Sequence, residues 1–234
     1  MKHYFIQKTN NPYLTVFFLG WGMDEHPFMN YLPVGSDLLV CYDYRTLDFD
    51  FSLLEGYRSI RLVGWSMGVW AASMVFQHTP IPVTESIAMC GTKEPISDEG
   101  GIPVAIFDGT LKGLNAVTLR KFYRRMCGVP EIFNDFMKKR PQRPLEELID
   151  ELRCIREQVL ANPIPDFNWE KALAAKDDAI FPYRNQINTW DKDTPFHIYK
   201  VPHYYEGFLR CIIYGSRYIF KAHCSVLFPH YKKL

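Results

Sequence analysis

The chain has 234 residues, 47% of them apolar and 23% charged, a balance that fills the core of one ordinary globular domain and excludes a disordered or fibrous chain. Lys and Arg number 27 against 26 Asp and Glu, a formal charge of +1, so no whole-molecule field draws the chain to nucleic acid or to an acidic membrane. Six cysteines (Cys41, Cys90, Cys127, Cys154, Cys211 and Cys224) are widely spaced with no C-x-x-C pair and read as reduced thiols, which makes the cytoplasm the expected compartment.

Near the start, Lys2 and Lys8 precede the apolar run Tyr13 to Leu19. Seven residues are too few for a secretory signal core, and Gly20-Trp21-Gly22 is a poor cleavage site. No stretch of about 18 uncharged apolar residues occurs, so no membrane-spanning helix is expected. Brief apolar runs then recur at Leu14 to Leu19, Asp37 to Tyr42, Ile60 to Gly64 and Ser86 to Cys90. Each is rich in β-branched or aromatic residues and bounded by turn formers, the look of strands buried on both faces of a parallel sheet. Met67 to His78 is apolar on nearly all sides and reads as a helix covered by that sheet and its neighbours.

From about Gly113 to Asn162 strand signals disappear. Leu145, Leu148, Ile149, Leu152, Ile155 and Val159 fall at helical spacing behind Pro144, and Asn162-Pro163 ends the run. The α/β alternation resumes with Ala172 to Ala175 and His197 to Val201, and a helical stretch starts at about Glu206. The whole chain, residues 1–234, is therefore expected to be one α/β domain whose parallel sheet is interrupted by a helical insertion at about 113–165. No repeat, low-complexity tract or linker is visible.

Gly64-Trp65-Ser66-Met67-Gly68 matches G-x-S-x-G between an apolar strand and a helix, where the pattern has mechanical meaning. Small neighbours allow a sharp turn that raises the Ser66 hydroxyl above the sheet, and the helix N-terminus favours negative charge there. The bland alternative is a strand-to-helix turn with Ser66 as a helix cap. A serine hydroxyl needs a base and an oriented acid, following it in the chain order Ser, acid, His. Of the histidines after the elbow helix, His197 opens the last strand, His203 follows that strand at its C-terminal edge, and His223 and His230 lie in the terminal segment. His203 is the expected base, with His223 its best rival. For the acid, Lys176-Asp177-Asp178-Ala179-Ile180-Phe181-Pro182 offers Asp178, with Asp177 as its neighbour. Asp108, after the strand-like Val104 to Phe107, is a third candidate. Oxyanion donors are expected from the backbone N–H of Met67, directly after Ser66, and of Trp21 in the loop Leu19-Gly20-Trp21-Gly22-Met23. No H-E-x-x-H, P-loop or G-x-G-x-x-G occurs, so neither metal nor cofactor is expected.

Taken together, F-L-G-W-G-M, D-Y-R at Asp43 to Arg45, G-W-S-M-G, D-A-I-F-P and the P-H of the last loop resemble the BioG family of pimeloyl-[acyl-carrier protein] methyl ester esterases over essentially the full length. The resemblance implies the α/β-hydrolase fold, a mostly parallel central sheet with helices on both faces and a small helical lid. It also implies removal of the methyl group from a pimeloyl chain held on an acyl carrier protein during biotin synthesis, with methanol as the other product. Ser66, Asp178 and His203 occupy the triad positions, and Trp21 and Met67 the oxyanion positions. Two positions depart from the commoner pattern: Leu19 stands where many such hydrolases have histidine, and no glycine precedes His203.

Residues 120–143 hold eight basic side chains against Glu131 and Asp135, a balance of +6. Carrier proteins are acidic, so Arg120, Lys121, Arg124 and Arg125 are expected to dock one. The competing expectation is that these cations pair with residues 146–157, where five acidic groups face two basic ones. Rival functions are a small-ester carboxylesterase or acyl thioesterase of the same build, separable by substrate comparison, and an inactive hydrolase scaffold used as a binding module, separable by serine-directed fluorophosphonate labelling.

Overall fold

The computed structural model describes residues 1–190 and 194–215. Among these, seven strands form one sheet: β1 (Lys2–Gln7), β2 (Tyr13–Phe18), β3 (Asp37–Tyr42), β4 (Ser59–Trp65), β5 (Glu85–Met89), β6 (Lys171–Ala175) and β7 (Phe196–Tyr199). Their spatial order is β1-β3-β2-β4-β5-β6-β7. Every neighbouring pair is parallel except β1 with β3. The central strands carry the predicted apolar runs because both faces are covered; all six residues of β3 are buried. β1 is an addition to the sequence reading. It is an edge strand with no fully buried residue: Lys2 and Tyr4 face solvent, the other four are half-buried, and its apolar run is only Tyr4 to Ile6.

Helix α1 (Met67–Phe76) follows β4 without a linking loop and is buried on nearly every side. It lies so close to β2 that a Cβ at Gly68 would stand 2.1 Å from the Phe18 carbonyl oxygen, a contact only glycine avoids. The polar groups in this layer are matched: the Trp169 indole N–H donates to Ser73 Oγ at 2.9 Å, and Ser73 Oγ donates to the Val69 carbonyl.

Four helices lie between β5 and β6: α2 (Val104–Gly113), α3 (Ala116–Cys127), α4 (Pro130–Lys138) and α5 (Leu145–Ala161). Helical structure thus begins at Val104, ahead of the expected start at about 113. Val104 to Phe107 is the first turn of α2, where the sequence reading expected a strand. A four-residue apolar run fits either structure, and Pro103 directly before it, with Phe107 the residue turned inward, decides for helix. Helices α6 (Tyr183–Thr189) and α7 (Glu206–Tyr214) complete the described residues.

The strand order sets the location of chemistry. From β2 the chain crosses to β3 on one side, whereas β4 lies on the other side of β2 and leads on to β5. The loops leaving β2 and β4 therefore diverge, opening a crevice at their carboxyl ends, where open α/β sheets bind ligands.

Candidate active site

Ser66 sits in that crevice with φ 61° and ψ −128°, a conformation that costs a non-glycine residue roughly 1–3 kcal/mol. The turn is held from both sides. Ser66 N–H donates to the Met89 carbonyl at 2.9 Å, and the Ser66 carbonyl accepts from Val69 N–H at 3.1 Å. A Cβ at Gly91 would come within 2.3 Å of that carbonyl oxygen, so the loop after β5 also needs glycine for the elbow to fit. This second requirement was not read from the sequence, because it depends on a contact between residues 25 positions apart.

His203 Nε2 lies 2.9 Å from Ser66 Oγ, and His203 Nδ1 lies 2.7 Å from Asp178 Oδ2. All three side chains are buried. The imidazole ring is fixed by stacking on Phe181, with an interplanar angle of 4°, and by the Trp65 ring tilted against it. Trp65 Nε1–H donates to the His203 carbonyl at 3.0 Å, which ties the loop after β7 to the strand carrying the serine. Asp178 Oδ1 accepts the N–H groups of Ile180 and Phe181 at 2.8 and 2.9 Å. Its other oxygen accepts from Gln186 Nε2 at 3.0 Å as well as facing the imidazole. Gln186, fully buried on α6, was not singled out in the sequence. An isolated glutamine eight residues past an aspartate carries no signal, and only the return of α6 beneath the turn brings it there.

The alternative candidates lie elsewhere. Asp177 is exposed and takes part through its N–H, which donates to the Val201 carbonyl. Asp108 is on α2, half-exposed and paired with Arg156, whose guanidinium holds the Asp108 carboxyl below its ordinary pKa. Its assignment after a strand is thereby corrected, since no strand precedes it. His197 is an exposed residue of β7. His223 and His230 lie outside the described residues.

Ser66 and His203 open into a cavity. Gly20, Trp21 and Met67 line it beside the serine. Ile106 and Phe107 of α2, Phe122 of α3 and Leu152 of α5 make its wall apolar. Trp21 packs edge-on against Phe122, with ring centroids 5.0 Å apart. Arg125 also lines the cavity while being exposed, which puts its charge at the rim. For cations, the described residues bring together one trio, Asp24, Glu25 and His26, whose potential ligand atoms lie within 4.8 Å of one another. Its carboxylates already accept from Gln142 N–H and Tyr42 Oη, so they have structural employment.

The basic stretch divides in two. Lys138 pairs with Asp135, Lys139 with Glu206, and Arg143 with Asp43, Glu147 and Glu151. Arg120, Lys121, Arg124 and Arg125 are all exposed on α3, with no carboxylate within 4 Å among the described residues. Arg120 lies over the Phe133 ring. On α5, Asp150 pairs with Arg153, and Glu147 pairs with Lys2 and Arg45 as well as with Arg143, so the expected pairing between the basic stretch and residues 146–157 is made by Arg143 and by none of the four cations of α3.

A family model described as pimeloyl-ACP methyl esterase BioG matches residues 1–210. The chain is 53% identical over 177 residues to a malonyl-[acyl-carrier protein] O-methyltransferase of Bacteroides fragilis, covering 76% of this chain but only 36% of that protein's length. It is 36% identical to an uncharacterized protein of Haemophilus influenzae over 93% of this chain and 95% of the other. Among solved structures, BioG from Haemophilus influenzae superposes with a TM-score of 0.81 at 37% identity, covering 88% of this chain and 94% of that one. An esterase from Exiguobacterium antarcticum, at 16% identity, shares the fold with a TM-score of 0.62 over 86% of this chain and 88% of that one. The chain belongs to the BioG family of pimeloyl-ACP methyl esterases and has the α/β-hydrolase fold.

Proposed function

We propose that the chain is a serine esterase that hydrolyses the methyl ester of pimeloyl-[acyl-carrier protein] to pimeloyl-carrier protein and methanol. The observation that carries this reading is the unbroken relay from Ser66 Oγ through the His203 imidazole to Asp178, opening into an apolar cavity. Ser66 Oγ attacks the ester carbonyl as His203 Nε2 accepts its proton, while Asp178 keeps the other ring proton on Nδ1 and stabilises the imidazolium. The N–H groups of Met67 and Trp21 take the developing oxyanion. Collapse breaks the bond to the methoxy oxygen, which leaves as methanol with the proton from His203. Water then attacks the acyl-serine, His203 again taking and returning a proton, and the acid is released.

The apolar wall suits a methylene chain ending in a neutral ester. The product carries a carboxylate there, and the cost of leaving that charge unpaired among Ile106, Phe107 and Leu152 favours its departure. A carrier-bound substrate has a thioester at its other end, so an occupant threaded through the rim presents the methyl ester to Ser66 and leaves the thioester nearer the mouth. The unpaired cations of α3 support docking of the acidic carrier there, with Arg125 at the rim. A relative named for methylating malonyl-carrier protein fits the same chemistry, since a methyl ester placed on a carrier-bound acyl group must later be removed.

The test is a comparison of methyl pimeloyl-carrier protein, the matching CoA ester and a short p-nitrophenyl ester. The carrier-bound ester should have the highest kcat/KM. Preference for the p-nitrophenyl ester would make the chain a small-ester carboxylesterase, and release of the thiol instead of methanol would make it a thioesterase. A complete relay on a strained elbow argues against the scaffold without activity, which would take no fluorophosphonate label.

A further inference from the structure

The loop after β2 is held along its length by the segment leading into and through α5. Trp21 Nε1–H donates to the Leu148 carbonyl at 3.1 Å, Gly22 N–H approaches Glu151 Oε2 at 3.4 Å, Arg143 Nη1 approaches the Met23 carbonyl at 3.4 Å, and Gln142 N–H donates to Asp24 Oδ2 at 2.6 Å. Four consecutive residues, 21 to 24, are thus each bonded to residues 142–151. At the centre is Glu151, a carboxylate with 0% exposure. Its Oε1 accepts Tyr44 N–H at 2.9 Å from the loop after β3, and its Oε2 also accepts from Arg143 Nη1 at 2.7 Å. Arg143, whose side chain is 4% exposed, reaches on to Asp43, which Arg45 grips with two hydrogen bonds.

An ion pair between a fully buried carboxylate and a largely covered guanidinium is a weak source of stability, because desolvating both charges offsets their attraction. What it does supply is geometry. A carboxylate accepting from two separate loops while held by a guanidinium fixes the relative position of all three, and unpaired partners in such a site are costly. Gly22, at φ +73°, is the residue whose peptide is aimed at Glu151, one position after the proposed oxyanion donor.

We propose that Glu151 is a positioning residue for the reaction: through Gly22 and Arg143 it holds the loop of residues 21–24 so that the Trp21 N–H points at the oxyanion, and so makes that donor depend on helix α5 being seated. The proposal rests on the reading of Ser66 as nucleophile and Trp21 as donor.

The variant Glu151→Gln keeps the size of the side chain but turns one accepting oxygen into a donor, so either Gly22 N–H and Arg143, which share Oε2, or Tyr44 N–H at Oε1 loses its acceptor. The readout is a trifluoromethyl ketone of matched chain length, to which Ser66 Oγ adds as the carbonyl π bond opens to an oxyanion and the serine proton passes to His203. Expected for folded Glu151→Gln are a kcat lower by about 10–30-fold, an inhibition constant for the ketone higher by a similar factor, and a KM for the ester within about threefold of wild type. Asp24→Asn loosens the same loop one residue beyond Met23 and should move kcat and ketone affinity the same way by about 3–5-fold; it decides the matter if Glu151→Gln does not fold. Unchanged kcat and ketone affinity in either folded variant overturns the proposal, as does a rise in KM equal to the fall in kcat/KM. Ser66→Ala serves as the separate arm: ketone binding or turnover that survives it contradicts the reading of the site itself, whatever Glu151 does.

Discussion

Around Ser66 each polar side chain is buried and bonded: His203 to Ser66 and Asp178, Asp178 to two backbone N–H groups, and Gln186 behind it. On α3, in the same molecule, Arg120, Lys121, Arg124 and Arg125 project into solvent without a carboxylate in reach among the described residues. The first region cannot lose a partner without leaving a buried group unsatisfied, so single substitutions there should act strongly and on any substrate. The second works through exposed charge, which is screened over about 8 Å at physiological salt, so it should act weakly, collectively and only on a charged partner. If the cations of α3 dock a carrier as proposed, chemistry and recognition are separable by substitution.

The largest effect belongs to Ser66→Ala, which removes only Oγ. Hydrolysis of a small ester should fall 10³-fold or more with the circular dichroism spectrum unchanged, and the protein should no longer take a fluorophosphonate label. Next is Asp178→Asn, which should lower kcat about 10³-fold because the imidazole loses the partner that sets its tautomer. Asp177→Asn and Asp108→Asn, measured beside it, should each stay within about twofold, since one side chain is exposed and the other pairs with Arg156. A crippled Asp108→Asn would contradict the assignment.

Gln186→Leu sharpens the comparison from within the buried region. It withdraws one hydrogen bond from Asp178 Oδ2, worth about 1.5–3 kcal/mol to a charged acceptor, and should cost about tenfold in kcat on both small and carrier-bound esters. An effect confined to one substrate would mean that the two regions are not independent.

Smallest is the change on α3. Replacing Arg120, Lys121, Arg124 and Arg125 together with Gln should raise KM for the carrier-bound ester about fivefold and leave a small neutral ester unaffected. The wild-type preference for the carrier-bound ester should shrink with added salt to the same level. Equal losses on both substrates would give these residues a role in seating the helices over the cavity instead.

What was legible in the sequence follows the same division. Ser66, Asp178 and His203 could be picked out because each stands at a strand end, and strands buried on two faces write continuous apolar runs; even alanine-rich β6 could be read, its small residues being buried throughout Ala172–Ala175. Edges and ties were not legible. β1 holds only the three apolar residues Tyr4 to Ile6 between polar ends and pairs antiparallel with β3 at the sheet edge, so it lacks the longer run that marked its neighbours. The first turn of α2 was read as a strand because four residues cannot separate a period of 2 from one of 3.6. Glu151 and Arg143 stand in the sequence only as two members of an acidic and a basic stretch of the helical insertion. Their burial depends on Asp43, Tyr44 and Gly22, about a hundred residues earlier in the chain, and no local pattern records that.

As proposed, Ser66 releases methanol from the far end of a carrier-bound acyl chain. Methanol and carrier-bound acid should be quantified together after incubating methyl pimeloyl-carrier protein with the wild-type chain and with Ser66→Ala. The wild type should give equimolar methanol and pimeloyl-carrier protein, with the thioester intact, and the variant nothing above background. Free carrier thiol in place of methanol, or methanol released equally by folded Ser66→Ala, would contradict it.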